Sequence, residues 1–257
     1  GNDESLKTAI RLYHVLEEKG REPQYDGYVE SFTENWEKLE QYDNNAPKTM
    51  NAHLHVLEAY TLLYQCWKDN GLKKRLEFCV DLFMNRIYDP SRKHFNLFFD
   101  NEWNSLVEMD SYGHDVETGW LLCEAARTLE NQDLIEQTNQ LALDVTEACL
   151  AEGMSDKGYM IYEKKGDRKT KHASWWGQIE TVIACVNAWQ ISGSDVYLQS
   201  VDTVWTFVKD HMVDKEYGEW YSDCFDGEPK KEAPKVSMWR CPYHTVRLGV
   251  EMYNRLK

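Results

Sequence analysis

Apolar residues recur at helical spacing in eight stretches of this chain. In the first stretch Leu6, Ile10, Tyr13 and Leu16 fall on one face, and Gly20 is typical of the position just after a helix. Similar patterns predict helices over about residues 4–19, 48–68, 72–85, 111–129, 133–151, 174–190, 196–211 and 239–257. No strand pattern is strong enough to build a sheet, although residues 94–99 could form a small hairpin. The chain is therefore expected to be all-α.

The predicted helices form a repeat of helix, short turn, helix and long loop. The helices that follow the long loops begin near Thr49, Ser111, Ser174 and Trp239, and subtracting these numbers gives spacings of 62, 63 and 65 residues. Helical hairpins repeated in this way stack so that each buries the surface its neighbour exposes. The expected architecture is a solenoid or a closed α/α toroid.

Composition narrows the possible functions. The 257 residues carry a formal net charge of -15, which would repel nucleic-acid phosphates, so we expect no nucleic-acid partner. No apolar stretch reaches the length of a membrane span, so no membrane partner is expected either. The seven cysteines are scattered, which argues against a disulfide framework and a zinc ribbon and favours reduced thiols in the cytoplasm.

Chemically active side chains recur near the starts of the post-loop helices. They are His55 on the first, His114 and Glu117 on the second, Trp176 and Glu180 on the third, and His244 on the fourth. If these helices line the inside of a ring, the groups converge on one cavity. Taken alone, the segment 110–120 favours a capped helix with a buried histidine and a solvated glutamate. The repeat favours a functional cluster.

Three chemistries could use such a cluster. A metal could bind His55, His114, His244 and Glu180, but no helical metal-ligand spacing is present, so we expect no metal. A glycosidase could use Asp110, Glu117 and Glu180 as its acid and base. Two histidines fit better the removal of a proton from carbon beside a carbonyl, because histidine titrates near neutral pH.

Four segments resemble the N-acylglucosamine 2-epimerase superfamily, and within it most of all the cellobiose 2-epimerases. They are KTMNAHLHVLEAY at 48–60, DSYGHDVETGW at 110–120, WWGQIE at 175–180 and WRCPYH at 239–244. The resemblance implies an (α/α)6 barrel. It also implies epimerisation at C2 of the reducing-end glucose of a β-linked disaccharide, which gives the mannose epimer through an enediol, without metal or organic cofactor.

The resemblance assigns a role to each matching residue. His114 and His244 match the pair of acid/base histidines, and His55 matches a third histidine that assists ring opening or polarises the carbonyl. Six further positions match residues that bind or orient the sugar: Glu117, Glu180, Trp176, Trp239, Trp120 and Asn51. Asp43 falls where a loop acid can touch the distal sugar.

The chain departs from the family in its number of helices. About eight helices are predicted, against the twelve of six hairpins, so roughly the first four are absent. We therefore expect residues 1–257 to form a single domain, the C-terminal two-thirds of the family fold and an incomplete barrel. Such an open edge favours self-association. Because the absent helices would carry an arginine and a tyrosine that bind the reducing-end sugar in the family, the resemblance also predicts weak or no activity for this chain.

Other functions stay open at this point. Within the family they are N-acylglucosamine 2-epimerase and an aldose–ketose isomerase that returns the proton to C1. Outside it, the chain could be a non-catalytic sugar-binding or interaction domain, because a fold does not fix a function.

Overall fold

The computed structural model describes residues 2–257, and within that range it contains eight α-helices. They are α1 (Asp3–Val15), α2 (Met50–Cys66), α3 (Asn70–Leu82), α4 (Tyr112–Leu129), α5 (Gln132–Gly153), α6 (Trp175–Ser192), α7 (Val196–Phe207) and α8 (Tyr243–Arg255). None of them is long and apolar enough to cross a membrane. Packing divides the chain into two compact units, the first made by residues up to Glu108 with Leu121–Thr138, the second by Met109–Trp120 with Asn139–Lys257.

The first unit is built on the helical hairpin of α2 and α3, with α1 packed against α2. Polar side chains start both hairpin helices, because Thr49 Oγ1 accepts the Ala52 N–H and Asp69 Oδ1 accepts the Leu72 N–H. The core between them consists of fully buried aliphatic and aromatic side chains, among them Leu54, Leu57, Leu76 and Phe83.

The second unit is centred on α6, which is buried from Gly177 to Ala188. Ser174 Oγ caps its start by accepting the Gly177 N–H at 3.2 Å, and Gly193, at φ 70°, ends it in the left-handed conformation. Helices α7 and α8 both pack against α6. Because α6 is mostly apolar and is buried on every side, its few polar residues also lie in the interior of the unit.

Ten short strands join the long loops, and they correct two sequence-based expectations. The strands are β1 (Lys48–Thr49), β2 (Tyr88–Asp89), β3 (His94–Phe95), β4 (Phe98–Phe99), β5 (Met109–Asp110), β6 (Lys164–Lys165), β7 (Arg168–Lys169), β8 (His172–Ser174), β9 (Asp223–Phe225) and β10 (Glu228–Pro229). The predicted hairpin over 94–99 is wrong, because β3 pairs with β2 and β4 with β1. The expectation of no sheet was also wrong, since strands of two or three residues are too short to show an alternating pattern.

Two of these sheets have three strands, and both lie in the second unit. Their orders are β5-β6-β7 and β10-β9-β8. In the second sheet, β8 leads directly into α6, while β9 and β10 belong to the loop that precedes α8. The sheet therefore ties together the loops that start two neighbouring helices.

The predicted helix ends differ from the observed ones mainly at α8. The sequence placed its start near Trp239, but the helix begins at Tyr243, after Pro242. Proline disfavours helical conformation in the residue before it, so the helix cannot extend upstream. Helices α1, α3 and α7 each continue into one π-helical turn, at Leu16–Gly20, Phe83–Ile87 and Val208–Met212. The prediction that residues 1–257 form one domain stays a prediction.

Candidate active site

His114 lies in the first turn of α4 and is held by the residue just before that helix. The Oγ of the buried Ser111 lies 2.8 Å from Nδ1 of His114. A hydroxyl can donate or accept, so this contact is compatible with either tautomer of the ring. The imidazole is partly exposed, which leaves it accessible to a small solute.

Trp176 lies in the first turn of α6 and contacts both histidines of the second unit. Its ring centroid is 4.5 Å from that of His114 and 5.7 Å from that of His244, with an interplanar angle of 28° to the latter. Gly113 permits this arrangement, because a Cβ at that position would lie 2.6 Å from a Trp176 ring carbon. The two histidines and one half-exposed indole therefore form a single cluster.

His244, in the first turn of α8, is held by a carboxylate from the interior. Its Nδ1 lies 2.7 Å from Oε1 of the fully buried Glu180, while Oε2 accepts the Trp120 indole N–H at 3.0 Å. An ionised carboxylate only accepts hydrogen bonds, so Nδ1 of His244 carries a hydrogen. Nε2 is then the nitrogen that can take up and release a proton.

Arg247 joins the two carboxylates beneath the histidine. Its Nη1 donates to Glu117 Oε1 at 2.5 Å and to Glu180 Oε1 at 3.1 Å, and all three side chains are buried. Arg247 therefore pairs with both buried carboxylates and fixes the one that contacts His244.

The same carboxylates raise the question of a metal. Ligand atoms of Glu117, Glu180 and His244 lie within 4.8 Å of one another, which is close enough to share an ion. However, Arg247 already donates to both carboxylates, and a second cation there would be repelled by the guanidinium. These residues fit an arginine clamp better than a metal site.

The remaining candidate residues are described one by one. Trp239 is 80% exposed in the loop before α8 and does not belong to the cluster around Trp176. In the first unit, His55 is exposed on α2 with its Nδ1 3.3 Å from Glu58 Oε2, Asn51 is half-buried on the same helix, and Asp43 is exposed in a 3-10 turn.

Sequence reasoning missed Arg247 and the contact between Ser111 and His114. The signal for Arg247 was present: it follows His244 by three residues, as Glu117 follows His114, so each pair shares a helix face. The two pairs are 130 residues apart, which is two repeats. The shared spacing places each residue on the same helix face as its histidine, but it does not show that the two residues pair.

Comparison with known proteins now identifies the family. The sequence pattern of the N-acylglucosamine 2-epimerase (GlcNAc 2-epimerase) family matches residues 1–247. The chain belongs to this family. It is 38% identical to the cellobiose 2-epimerase of Bacteroides fragilis and 35% identical to that of Dictyoglomus turgidum, with 98% of the chain aligned in each case. It spans 66% of the length of both relatives.

Solved structures agree with this family assignment. The cellobiose 2-epimerase of Bacillus thermoamylovorans B4167 is 34% identical and superposes with a TM-score of 0.94 over 99% of this chain and 66% of its own. A D-mannose isomerase structure, at 18% identity and a TM-score of 0.81, shares the fold. The predicted all-α fold of the (α/α)6 class and the resemblance to the family are confirmed.

Proposed function

We propose that this chain acts as a sugar 2-epimerase, which interconverts glucose and mannose at the reducing end of a β-linked disaccharide such as cellobiose. The observation that carries the proposal is the contact of His114 and His244 with one Trp176 ring. The names of the relatives, cellobiose 2-epimerases that are 35–38% identical, support the same reaction class.

In the proposed reaction the open-chain sugar loses its C2 proton to one histidine. The C–H electron pair moves into the C1–C2 bond, and the carbonyl electrons move onto the C1 oxygen, which gives an enediolate. The other histidine returns a proton to C2 on the opposite face, and the carbonyl re-forms. Because imidazole titrates near neutral pH, it can serve as both base and acid here, and no cofactor is needed.

The buried ion cluster would hold His244 in position for proton transfer. Glu180 holds His244 through Nδ1, so Nε2 faces away from the carboxylate. Arg247 prevents mutual repulsion of Glu117 and Glu180 and keeps Glu180 fixed.

Deuterium exchange at C2 tests the proposal directly. The chain is incubated with cellobiose in D2O, and NMR follows both C2 deuteration and the manno product. We expect His114→Asn and His244→Asn to lower the exchange rate by roughly 10²–10⁴-fold, the usual value of a general acid or base. His14→Asn, at an exposed histidine on α1, is the matched control. Exchange that survives both site substitutions would contradict the proposal.

The same assay separates the related functions. An aldose–ketose isomerase would give a keto sugar, and an N-acylglucosamine 2-epimerase would exchange the N-acyl sugar in preference to cellobiose. A chain that binds sugar without any exchange would be a binding domain. The roles expected for His55, Asn51, Asp43, Trp120 and Trp239 stay predictions, as does a cytoplasmic location.

Self-association also stays a prediction. It is supported by a solvent-facing apolar stripe on α8, where Val246, Val250 and Tyr253 are 59%, 50% and 69% exposed. Sedimentation equilibrium over a range of concentrations checks it, and a constant monomer mass would contradict it.

A further inference from the structure

Among residues 2–257, three aromatic rings contact His244 in addition to the Glu180 carboxylate. Trp176 lies nearly parallel to the imidazole, with centroids 5.7 Å apart, and Trp175 lies nearly perpendicular to it, at 6.2 Å and 80°. Tyr243 makes the third contact, at 4.8 Å and 73°. A single hydrogen bond from Nδ1 tolerates deviations of about 30° from linearity, so it does not fix the ring plane. The aromatic neighbours therefore help to determine the direction in which Nε2 points.

Trp175 has no hydrogen bond that would hold its own ring. Its Nε1 is buried without a hydrogen-bond partner among the residues that the structure describes, and the side chain is almost fully enclosed. The orientation of such a ring depends on packing. One of its contacts is with Arg240, whose Cζ lies 4.6 Å from the ring centroid. Because Arg240 is 2% exposed, water competes little with this cation–π contact.

The loop before α8 holds Arg240 in place. The Nη2 atom of Arg240 donates to Glu219 Oε1 at 2.7 Å and to the Trp220 carbonyl at 3.1 Å. Its buried Nε, in contrast, has no hydrogen-bond partner within residues 2–257. A buried donor without a partner is unfavourable, so the contacts of Nη2 and of the Trp175 ring have to maintain the position of the guanidinium.

We propose that Arg240 is a positioning residue for His244 and that it acts through Trp175. The guanidinium fixes the indole, the indole limits rotation of the imidazole, and Nε2 of His244 keeps one direction. A misaligned acid or base transfers its proton more slowly, because the reaction requires a narrow range of geometries. This inference rests on the proposed function, in which His244 transfers a proton.

A purely structural role for Arg240 would be to anchor the loop that leads into α8. Lys235 anchors the same loop further upstream. Its Nζ donates to the Asp214 carboxylate and to a backbone carbonyl at 2.7 Å, and it lies 5.3 Å from the centroid of the Tyr221 ring. Lys235 therefore makes the same three kinds of contact as Arg240, but Tyr221 is not one of the rings that contact His244. This parallel makes Lys235 the matched control.

Steady-state kinetics of cellobiose epimerisation by the full chain separates the two roles. We expect Arg240→Met to lower kcat about tenfold, the fold-change that corresponds to one buried cation–π contact. KM should stay unchanged, because the sugar still binds while His244 is less often aligned. Lys235→Met should leave both constants unchanged. Equal losses of kcat in the two variants would overturn the inference, since loop anchoring would then explain them.

A double-mutant cycle tests whether Trp175 transmits the effect. Trp175→Leu should lower kcat by itself, and Arg240→Met should add little to that loss, because the ring through which Arg240 acts is gone. Full additivity of the two losses would overturn the inference. If Arg240→Met does not fold, Arg240→Lys carries the test: it keeps a charge for Glu219 but loses the planar stack, so kcat should still fall. Wild-type kcat in that variant would overturn the inference.

NMR gives a readout that does not need activity. It records the imidazole proton resonances of His114 and His244, which are sensitive to the position of neighbouring aromatic rings. We expect Arg240→Met to shift the His244 resonances and to leave those of His114, whose ring lies 4.5 Å from that of Trp176, in place. Unshifted His244 resonances in this variant would overturn the inference.

The two proposals can fail separately. Shifted His244 resonances in a chain without C2 exchange would overturn the proposed function and leave the positioning of His244 by Arg240 standing. C2 exchange by the wild type, with wild-type kcat and unshifted resonances in Arg240→Met, would leave the function standing and overturn the positioning role.

Discussion

Replacing Arg247 with methionine removes the only guanidinium that donates to both Glu117 and Glu180 among residues 2–257. Methionine keeps an apolar stem of similar length against Tyr243 and Trp120, whose rings lie 4.2 and 5.4 Å from the guanidinium carbon. The substitution therefore deletes charge and hydrogen bonds with little loss of packing. Its effect reports the value of the ion cluster itself.

The expected cost follows from burial. Glu117 and Glu180 are 1% and 0% exposed, so neither carboxylate can turn to water when Arg247 is lost. Removing one partner of a buried ion pair costs about 3–5 kcal/mol of unfolding free energy. Glu180 keeps Trp120 and His244 as donors, which places the expected value near the lower end of that range.

The loss should depend on pH in a defined direction. Without Arg247 the two buried carboxylates repel each other, and binding of a proton at low pH relieves that repulsion. The variant should therefore be closer to wild type at pH 5 than at pH 8.

Urea unfolding followed by circular dichroism at pH 5 and pH 8 measures both effects. The double variant Arg247→Met with Glu117→Gln is the control, because it also removes one of the two carboxylates. We expect it to recover about 1–3 kcal/mol at pH 8 relative to the single variant, the range of coupling between neighbouring residues. Equal destabilisation at both pH values, with no recovery in the double variant, would refute the electrostatic account.

Three further predictions concern single positions. Burial lowers the pKa of His53 to about 4, against about 6.5 in the unfolded chain. The folded state requires the neutral ring, so the free energy of unfolding is highest above pH 6.5 and is lower by about 3 kcal/mol at pH 4. His53→Asn should lack this loss in urea unfolding at the two pH values, and an unchanged loss would contradict the assignment. Gly113→Ala should displace Trp176, lower the free energy of unfolding by about 1–3 kcal/mol and slow C2 exchange. Gly249→Ala, with nothing within 4 Å of its added Cβ, should instead raise the free energy of unfolding by about 0.5–1 kcal/mol. Similar effects at both glycines would count against the steric reasoning. Ser111→Ala should slow C2 exchange up to about tenfold and Ser111→Thr should restore it, because the hydroxyl contacts Nδ1 of His114. Equal rates in the two variants would argue against that role.

Periodicity predicted the helices that carry the candidate site. The observed starts of α2, α4 and α6 lie within two residues of the predicted ones, because capping residues such as Thr49 and Ser174 mark them. The repeat also predicts that six residues come together: His55, His114, Glu117, Trp176, Glu180 and His244. All but His55 are linked by contacts within the second unit, while the convergence of His55 on them and the chemical roles of all six stay predictions.

Other features depend on contacts that no local pattern records. Arg247 meets Glu117 across 130 residues, so neither position alone indicates a buried pair. His172 and Asp223 are brought together by strands of three residues each, which are too short to show an alternating pattern in the sequence. Trp239 lies in the loop and not in the helix, because α8 begins only after Pro242. Long-range pairing and loop conformation therefore account for what sequence could not supply.

The three-stranded sheet of β8, β9 and β10 bears on how the second unit folds. His172 and Asp223, which the sheet brings together, are 51 positions apart in the chain, so the ladder forms only after a large loop has closed. Such late, non-local pairing slows folding relative to that of the helical hairpins. Once formed, the ladder protects backbone amides within an irregular segment, and hydrogen exchange there then requires cooperative opening rather than local fraying.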